Sequence, residues 1–597
     1  MQNLSYIGKK PSLGLPIHGK KSSPDDTITP AMNRIIDTAL YKFLTQPEAH
    51  KVIHGYRRSV WNEDALNTDI ERLNSIEKLV PKDDHYWNAI NHIKKMLQPE
   101  VPLQPVHFAD LPVYPWRLST NIGAPFAQSP KWQNYVKSKY NYFAHGTPFE
   151  NFEERDLFVE AHANSQPLEI KDTRMTKHNL YTEAFFITRK NIHLIKEGKK
   201  TNAKGHDLKY WNTAFARQHL VEVDQPDKVR LVFGAPFTLL CSELMFFWPI
   251  QIFLLTMTGS KSFMLWGFET ILGGWFRLLT FFYNFALRHT TVVTLDWRGF
   301  DRDARHTVIS DIHTHVLRPM FDFSRGYHPT VTNPSHVNKE DDLTYTQKLD
   351  NLWNWMTNSV LSIPLMMPDG TMIQFNHSGI FSGYFQTQIL DSIYNLVMIF
   401  TILSKMGFDL DKVVIKVQGD DSIFMLLCVF AIISSSFMSL FQHYATYYFG
   451  STVSVDKSEI RDSLQHAEVL KYRNNNGIPY RDELQLLAQL RHPERSTLPR
   501  DVAARCIGIA YASCGQLPRT YQICEDIFNY LSSHYEFEPR ESEIKRMFQH
   551  LEFADIEFDA SKFPSFFEVT RHLTDGHTPL TSKHWPLDYF IGLPGRR

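Results

Sequence analysis

Val413-Val-Ile-Lys-Val-Gln-Gly-Asp-Asp-Ser-Ile-Phe424 is the stretch from which the rest of the chain is best read. Apolar, mostly β-branched residues stand on both sides of a Gly419-Asp420-Asp421 corner. Runs of this kind, joined by a tight turn, predict two short strands over 413–417 and 422–427. Glycine at the first central position suits a type II′ hairpin turn, which needs a positive φ there. Two adjacent carboxylates at a hairpin tip repel each other, and a divalent cation relieves the repulsion by taking their oxygens as ligands. Ordinary turn chemistry is the competing reading: at average residue usage this tripeptide arises by chance in roughly one in ten chains of this length. The corner therefore has to be judged by its partners.

The 597 residues correspond to about three or four domains, or to one large enzyme with subdomains. A composition with 43% hydrophobic and 13% aromatic residues can bury a large core. The net charge of −1 neither favours nor excludes a polyanionic partner, since a neutral protein can be basic inside a channel. Five cysteines with no C-x-x-C pair fit a reducing compartment and speak against a disulfide framework or zinc site. The N-terminus is polar and lacks a secretory apolar core. Leu244–Thr258 is apolar but interrupted by Pro249 and Gln251. Ile423–Phe441 runs nineteen residues without a charge, formally enough to cross a bilayer. It begins as a strand of the hairpin and holds Ser434, Ser435, Ser436 and Ser439, so a buried strand plus core helix is expected, with no membrane contact.

Residues 1–30, with Lys9-Lys10, Lys20-Lys21, Pro and Gly, read as a flexible, solvated arm, with RNA contact as the alternative. Helical spacing follows in Ile35, Ile36, Ala39, Leu40 and Phe43, and again in Ile70, Leu73, Ile76 and Leu79. Arg117-Leu-Ser-Thr-Asn-Ile-Gly-Ala-Pro-Phe126 is a small-residue loop where backbone can approach a ligand closely, or else a plain connecting turn. In Asp227-Lys-Val-Arg-Leu-Val-Phe-Gly-Ala-Pro236, an extended backbone turns Lys228 and Arg230 the same way. Such a pair clamps a phosphate or joins a surface ladder of ion pairs. Gly259-Ser-Lys-Ser262 lacks the Gly-Lys-Ser adjacency of a P-loop.

Thr291-Val-Val-Thr-Leu295 is a β-branched run ending at Asp296, and Trp297-Arg-Gly-Phe300 leads to Asp301. A helix is predicted next, with Val308, Ile309, Ile312, Val316 and Leu317 on one stripe and Pro319 as its stop. His313 and His315, two apart, do not share a face and read as structural. Residues 325–350 are polar and loop-like. From Tyr384 a helix is predicted, with Phe385, Ile389, Ile393, Leu396 and Phe400 forming its apolar face. Thr387, Asp391 and Asn395 form a polar stripe opposite. A solvated face is the ordinary meaning of such a stripe, but short Thr, Asp and Asn side chains suit positional hydrogen bonds. Ser382-Gly383 gives the helix a flexible start. Asp456-Lys457 lies in a polar loop, 468–472 with 477–480 suggests a second hairpin, and 485–555 is helical. The aromatic, Pro-rich C-terminal forty residues are expected to pack on the body.

Taken in order, the blocks are a small-residue loop, Lys-x-Arg, strand-Asp-x4-Asp, Ser-Gly-x3-Thr-helix, Gly-Asp-Asp hairpin, Lys loop and second hairpin. This order resembles that of viral RNA-dependent RNA polymerases. It is most similar to those of partitiviruses, which carry bisegmented double-stranded RNA, with Asp391 where many positive-strand viruses have Asn. The resemblance implies an α/β (α+β) right-hand fold with fingers, palm and helical thumb, the palm being a small antiparallel ferredoxin-like sheet backed by helices. The implied divisions are an arm (1–30), a helical extension (31–110), fingers (111–290 and 325–380), palm (291–324 and 381–489), and thumb with C-terminal segment (490–597).

Nucleotidyl transfer needs two cations about 3.5–4 Å apart, one activating the attacking oxygen and one stabilising the leaving group. Asp296 and Asp420 are expected to bridge them, with Asp421 assisting. Mg²⁺ is the expected ion and Mn²⁺ a substitute. Lys228 and Arg230 would neutralise the triphosphate. The resemblance further implies that Asp301 and Asp391 read the ribose 2′ hydroxyl. It implies that Ser382, Gly383, Thr387 and Asn395 complete the nucleotide site, and that Ser119, Thr120, Gly123 and Pro125 touch template. Lys457 is a candidate proton donor to pyrophosphate. Implied partners are template and nascent RNA, ribonucleoside triphosphates and a capsid protein, in the virion interior and host cytoplasm. The competing readings are a positive-strand virus polymerase, a reverse transcriptase, which usually has a bulky residue where Asp301 stands, and a non-catalytic RNA-binding protein, which needs no paired Asp at strand ends.

Overall fold

The computed structural model describes residues 1–11, 28–60, 62–257, 262–285, 291–335, 342–494, 496–538, 541, 544, 558–574 and 583–597. Leu4–Lys9 is strand β1, so the segment expected as a loose arm begins in a sheet. Fully buried Asn3 explains this. Its amide donates to the carbonyls of Leu73 (2.8 Å) and Ser378 (3.0 Å) and accepts from the N–H groups of His377 and Ser378. Most of the remaining arm, residues 12–27, lies outside the described residues.

Helices α1 (Ile28–Phe43) and α2 (Gln46–His54), strand β2 (Tyr56–Arg58) and helices α3 (Glu63–Leu73) and α4 (Asp84–Met96) follow. The second predicted stripe stops early, leaving Ile76 and Leu79 exposed. Asn74 leaves the helical region (φ −92°, ψ 55°), and its side chain accepts from Leu4 N–H at 3.0 Å. Holding β1 ends the helix.

Helices α5 (Pro130–His145), α6 (Phe152–Ala161) and α7 (Tyr181–Lys196) precede strands β3 (Asn212–Gln218), β4 (Leu220–Glu222) and β5 (Val229–Gly234). Helix α8 (Phe237–Thr256) is apolar all round and almost wholly buried, as a central core helix is. After α9 (Gly274–Tyr283) come β6 (Thr291–Leu295), β7 (Trp297–Arg298), α10 (Phe300–Asp303) and α11 (His306–Asp311). The predicted stripe from Val308 to Leu317 is buried, but the helix loosens to a π turn over Ile312–Leu317 before a short 3-10 turn that holds Pro319. Helix α12 (Asp342–Ser362) occupies part of the stretch read as loop.

Strands β8 (Leu365–Met366) and β9 (Thr371–Phe375), helix α13 (Thr387–Lys405) and strands β10 (Val414–Gln418) and β11 (Asp421–Leu426) come next. Helix α13 starts three residues later than predicted. The long uncharged run is not one buried unit. Beyond β11 it passes through α14 (Phe430–Ile433), where Ile432 is 72% exposed, to α15 (Phe437–Phe449). Strands β12 (Thr452–Val453), β13 (Glu459–Arg461), β14 (Glu468–Val469), β15 (Tyr472–Asn475) and β16 (Ile478–Tyr480) lead to helices α16 (Glu483–Arg491), α17 (Pro499–Ala512) and α18 (Pro518–His534). The expected second hairpin is a three-stranded meander, β14-β15-β16.

Two larger sheets organise these elements: β1-β9-β8-β3-β5, antiparallel except for β3 with β8, and the antiparallel β10-β11-β6-β13. The second divides the core. Val293, Leu295, Phe424 and Leu426 point into one hydrophobic cluster, and Val292, Ile423 and Met425 into the other. Period-two alternation thus buries both faces. Helices α1 and α2 pack with α16–α18 in the second cluster, where ion pairs Asp37–Arg491 (2.6 Å), Glu48–Arg519 (2.8 Å) and Lys42–Asp526 (2.7 Å) tie them. The C-terminal residues 583–597 pack on the body as expected, but against α8 rather than α16–α18. Trp585 stacks on Phe590 at 3.9 Å, and Trp248 Nε1 donates to the His584 carbonyl at 2.8 Å.

Lys416 of β10 is fully buried on the second cluster's side. Its Nζ donates to the Ser262 carbonyl and lies 4.2 Å from the Phe281 ring centre. Burial lowers its pKa to about 7. The unfolded lysine keeps its proton to a pKa of about 10.4. Between these values the unfolded chain binds more protons, so this residue weakens stability at neutral pH and the deficit fades as pH rises. Lys416→Met is therefore expected to raise unfolding free energy at pH 7 by on the order of 1 kcal/mol, with the gain shrinking towards pH 10. Urea unfolding of both proteins checks this; a gain that stays constant with pH refutes it.

Candidate active site

The β10–β11 register pairs Gln418 with Asp421 and closes the hairpin over Gly419 and Asp420. Gly419 has φ 59°, whereas Asp420 is not among the positive-φ residues, the pattern of the predicted II′ turn. The Gly419 peptide is held from both sides by α13. Its N–H donates to Ser392 Oγ at 2.9 Å, and its carbonyl accepts from Asn395 Nδ2 at 3.0 Å. Ser392 and Asn395 are three apart on one helix face and fully buried. Asn395 Oδ1 also accepts from Trp297 Nε1 at 3.0 Å, so one side chain links the corner to the residue after Asp296.

Asp296 is fixed through its backbone: its N–H donates to Ser458 Oγ (2.9 Å) and its carbonyl accepts from Ser454 N–H (2.7 Å). Leu295 pairs with Ser422, so Asp296 leaves β6 at the end where Asp421 begins β11. Burial first, then the charges of Asp301 and Asp296, raise the pKa of Asp420. Burial, Asp420 and Asp296 push Asp421 up to about 7. The pair faces two ways: Arg230 offsets part of the rise at Asp420, and Lys471 does so at Asp421. Asp301 and Asp391 face each other, both pushed up by burial, and Asp391 Oδ1 is buried without a hydrogen-bond partner. Asp301 and Asp420 keep contact with solvent yet are crowded by protein, as groups on a cleft floor are.

This donor set fits a divalent cation. Hard carboxylate oxygens crowd together, Asp301 and Asp420 raising the proton affinity of Asp391, and one buried oxygen lacks a partner. Among the described residues no three ligand side chains are drawn into a closed cage. The carboxylates line an open site instead.

On β5, Val229 and Leu231 are buried while Arg230 and the preceding Lys228 are exposed, as the predicted alternation requires. The charge of Lys457, in the exposed turn 455–457, reaches Lys228. Two small-residue loops press on the end of the same strand. A Cβ on Gly383 would stand 1.9 Å from the Phe233 carbonyl oxygen, and one on Gly123 would stand 2.5 Å from that of Ala235. Only glycine permits either approach.

Residues 170–525 match the family model described as viral RNA-dependent RNA polymerase. The chain belongs to this family. It is 31% identical to the RNA-directed RNA polymerase of White clover cryptic virus 1, over 99% of this chain and 97% of that protein. It is 25% identical to that of Atkinsonella hypoxylon virus, over 82% and 77% of the two chains. The solved structure of a Sicinivirus 3Dpol RNA-dependent RNA polymerase shares the fold, with a TM-score of 0.58, 13% identity and coverage of 92% and 99%. The right-hand architecture and the enzyme class expected from sequence are thus borne out. The polymerase binds RNA and nucleotides, and divalent metal ions are general to its family.

Several expected contacts are redirected in the polymerase. Asn395 is fully buried, with both ends of its amide engaged by Trp297 and Gly419. Thr387 donates to the Phe381 carbonyl at 2.6 Å and closes the loop before α13. Gly383 and Gly123 serve packing against β5, and Pro125 is half-buried beside Gly123. Ser382, Ser119 and Thr120 are exposed. Thr120 Oγ1 accepts from Lys177 Nζ at 2.7 Å, a cation the sequence did not single out. Glu243 was missed too. Fully buried and raised by burial to about 7, it accepts from the N–H groups of Phe385 (3.3 Å) and Gln386 (3.0 Å), fixing the loop end ahead of α13. Its signal was present: it is the only charged residue in the twenty of α8. A buried carboxylate needs such donors.

Ser392→Ala leaves the half-buried Gly419 N–H without its hydroxyl partner, a cost of about 1 kcal/mol. RNA synthesis is expected to fall at least about ten-fold through displacement of Asp420. The nucleotide KM should change little. Steady-state kinetics on the folded variant check this, and an unchanged kcat refutes the clamp's role.

Proposed function

We propose that the polymerase replicates and transcribes a double-stranded RNA genome of a partitivirus-like virus, working with a capsid protein and without a membrane, in the virion interior and host cytoplasm. The names of the relatives support this reading together with the motif order. The fingers are proposed as 111–290 and 325–380, the palm as 291–324 and 381–489, and the thumb as residues after 490. The packing of 583–597 on α8 favours ending the thumb before that segment. Two Mg²⁺ ions, replaceable by Mn²⁺, are proposed to be held by Asp296 and Asp420 with help from Asp421. When bound, the ions lower the pKa of the attacking 3′ hydroxyl and stabilise the leaving pyrophosphate.

The chain's own residues do the rest. Lys228 and Arg230 neutralise and orient the triphosphate, Arg230 offering a bidentate fork. Asp301 and Asp391 accept from the ribose 2′ hydroxyl. Ser382 lines the nucleotide site, Ser119 and Thr120 contact template, and Lys457 supplies a proton to pyrophosphate. The observation that carries this reading is the joint anchoring of Trp297, the residue after Asp296, and the Gly419 corner by Asn395.

Full-length protein with Mg²⁺ and four ribonucleotides is expected to extend RNA on an RNA template, and Asp420→Ala to abolish this. Activity equal to wild type in the variant refutes the assignment. Protons compete with cations at Asp421, whose pKa is raised to about 7, so the half-saturating Mg²⁺ concentration should fall as pH rises from 6 to 8. A half-saturation independent of pH counts against Asp421 as a cation partner. Asp301→Ala is expected to narrow the preference for ribonucleotides over deoxyribonucleotides; an unaltered preference removes its assigned role.

A further inference from the structure

We propose that Arg72, on helix α3 of the N-terminal extension, is a further binding residue for the polyphosphate of the incoming nucleotide and for the pyrophosphate product. The proposal rests on the reading of Lys228 and Arg230 as the triphosphate clamp and extends that site to a helix that is not part of the finger sheet but packs on its edge.

The first support is the position of α3. Strand β5 is the last of its sheet, so its outer edge carries backbone groups without a strand partner. Residues 57–60 and 62–69 cover that edge. Leu231 N–H donates to Asp69 Oδ2 at 3.2 Å and Lys228 N–H to Ser59 Oγ at 2.9 Å. The Asp227 carboxylate accepts from Val60 N–H at 3.0 Å, from Asn62 Nδ2 at 3.2 Å and from the Arg57 guanidinium. The extension thereby fixes the direction in which Lys228 and Arg230 point.

The second support is register. Asp69 and Arg72 are three apart on α3 and share a face. With Asp69 bonded to β5, Arg72 stands one turn along, above the strand that bears the clamp. The fields agree: Arg72, Arg230 and Arg302 act on Asp69, and Arg230, Lys457 and Arg72 act on Lys228.

The third support is unmatched charge. Arg72, Lys228 and Arg230 are exposed. Among the described residues none of the three forms a side-chain hydrogen bond or ion pair. Asp69, half-buried, offsets only part of this charge. Like cations held together by the fold, without partners, make a site for an anion of several charges, and a polyphosphate brings that charge in one molecule. An RNA backbone phosphate is a different class of ligand and is an outcome of the test.

The test uses the full-length polymerase with Mg²⁺ on a primed RNA template, comparing wild type, Arg72→Ala, Arg72→Lys and Arg230→Ala. KM and kcat for ribonucleotide, KM for pyrophosphate in the reverse reaction, RNA affinity by anisotropy and the melting temperature are measured. Arg72→Ala is expected to raise both KM values about five- to twenty-fold and to change kcat less than about two-fold. RNA affinity and melting temperature should hold, and Arg72→Lys should recover part of the loss. Unchanged KM values with Arg230→Ala impaired overturn this inference alone. Unchanged values in both variants overturn the clamp reading as well. A rise in KM accompanied by a lower melting temperature, or a loss confined to RNA affinity, also overturns it.

Discussion

The peptide group of Gly419 is gripped on both sides, its N–H by the Ser392 hydroxyl and its carbonyl by the Asn395 amide. A hairpin tip carrying two adjacent carboxylates is otherwise free to splay, because like charges in a poorly hydrated cleft repel strongly. Helix α13 supplies the opposing constraint from side chains that are themselves fully buried, and breaking a buried bond costs more than breaking an exposed one. Asn395 goes further. Its second bond, to Trp297, joins the corner to the strand end that bears Asp296. Carboxylates from separate blocks of sequence are thus positioned by one rigid helix, at the strand ends of a sheet buried on both faces.

The consequence is a site whose charge is deliberately unbalanced. Burial and neighbouring carboxylates raise the proton affinity of Asp391, Asp420 and Asp421, while burial, Arg230, Lys457 and Arg72 lower that of Lys228. Among the described residues each half is offset only in part. The acidic half suits cations and the basic half suits phosphates, and a nucleotide carried with divalent cations satisfies both together. Preorganised, uncompensated charge of this kind is what lets binding be strong without reorganisation at the moment of reaction.

Much of this was legible because the decisive signals are local. The Gly-Asp-Asp turn needs a positive φ that Gly419 supplies, the β-branched runs on either side are strands, and Lys228 and Arg230 alternate with buried Val229 and Leu231. What was not legible depends on which element lies opposite which. The polar stripe of α13 was visible, but not that Asn395 bonds to the hairpin and to Trp297. Gly123 and Gly383 read as flexible or ligand-facing positions, whereas the close neighbour of each is the backbone of β5. Glu243 and Gln386 lie 143 residues apart, and no spacing rule reaches across that distance. The N-terminal arm misled for the same reason: a polar, Lys-rich stretch looks solvated until buried Asn3 is seen to make four hydrogen bonds.

Strand β5 shows why the polymerase depends on segments that look peripheral. Gly383 touches Phe233 and Gly123 touches Ala235, so the loops before α13 and α5 are both registered against the strand's end. Its outer edge is held by Ser59, Asn62 and Asp69. These residues precede the matched family region, which begins at residue 170. An edge strand left uncovered is free to twist or to pair wrongly, and here such movement would swing Lys228 and Arg230 away from the carboxylates. The extension therefore belongs to the active site in a physical sense. It supplies none of the clustered carboxylates, yet it holds the edge of the strand that carries Lys228 and Arg230.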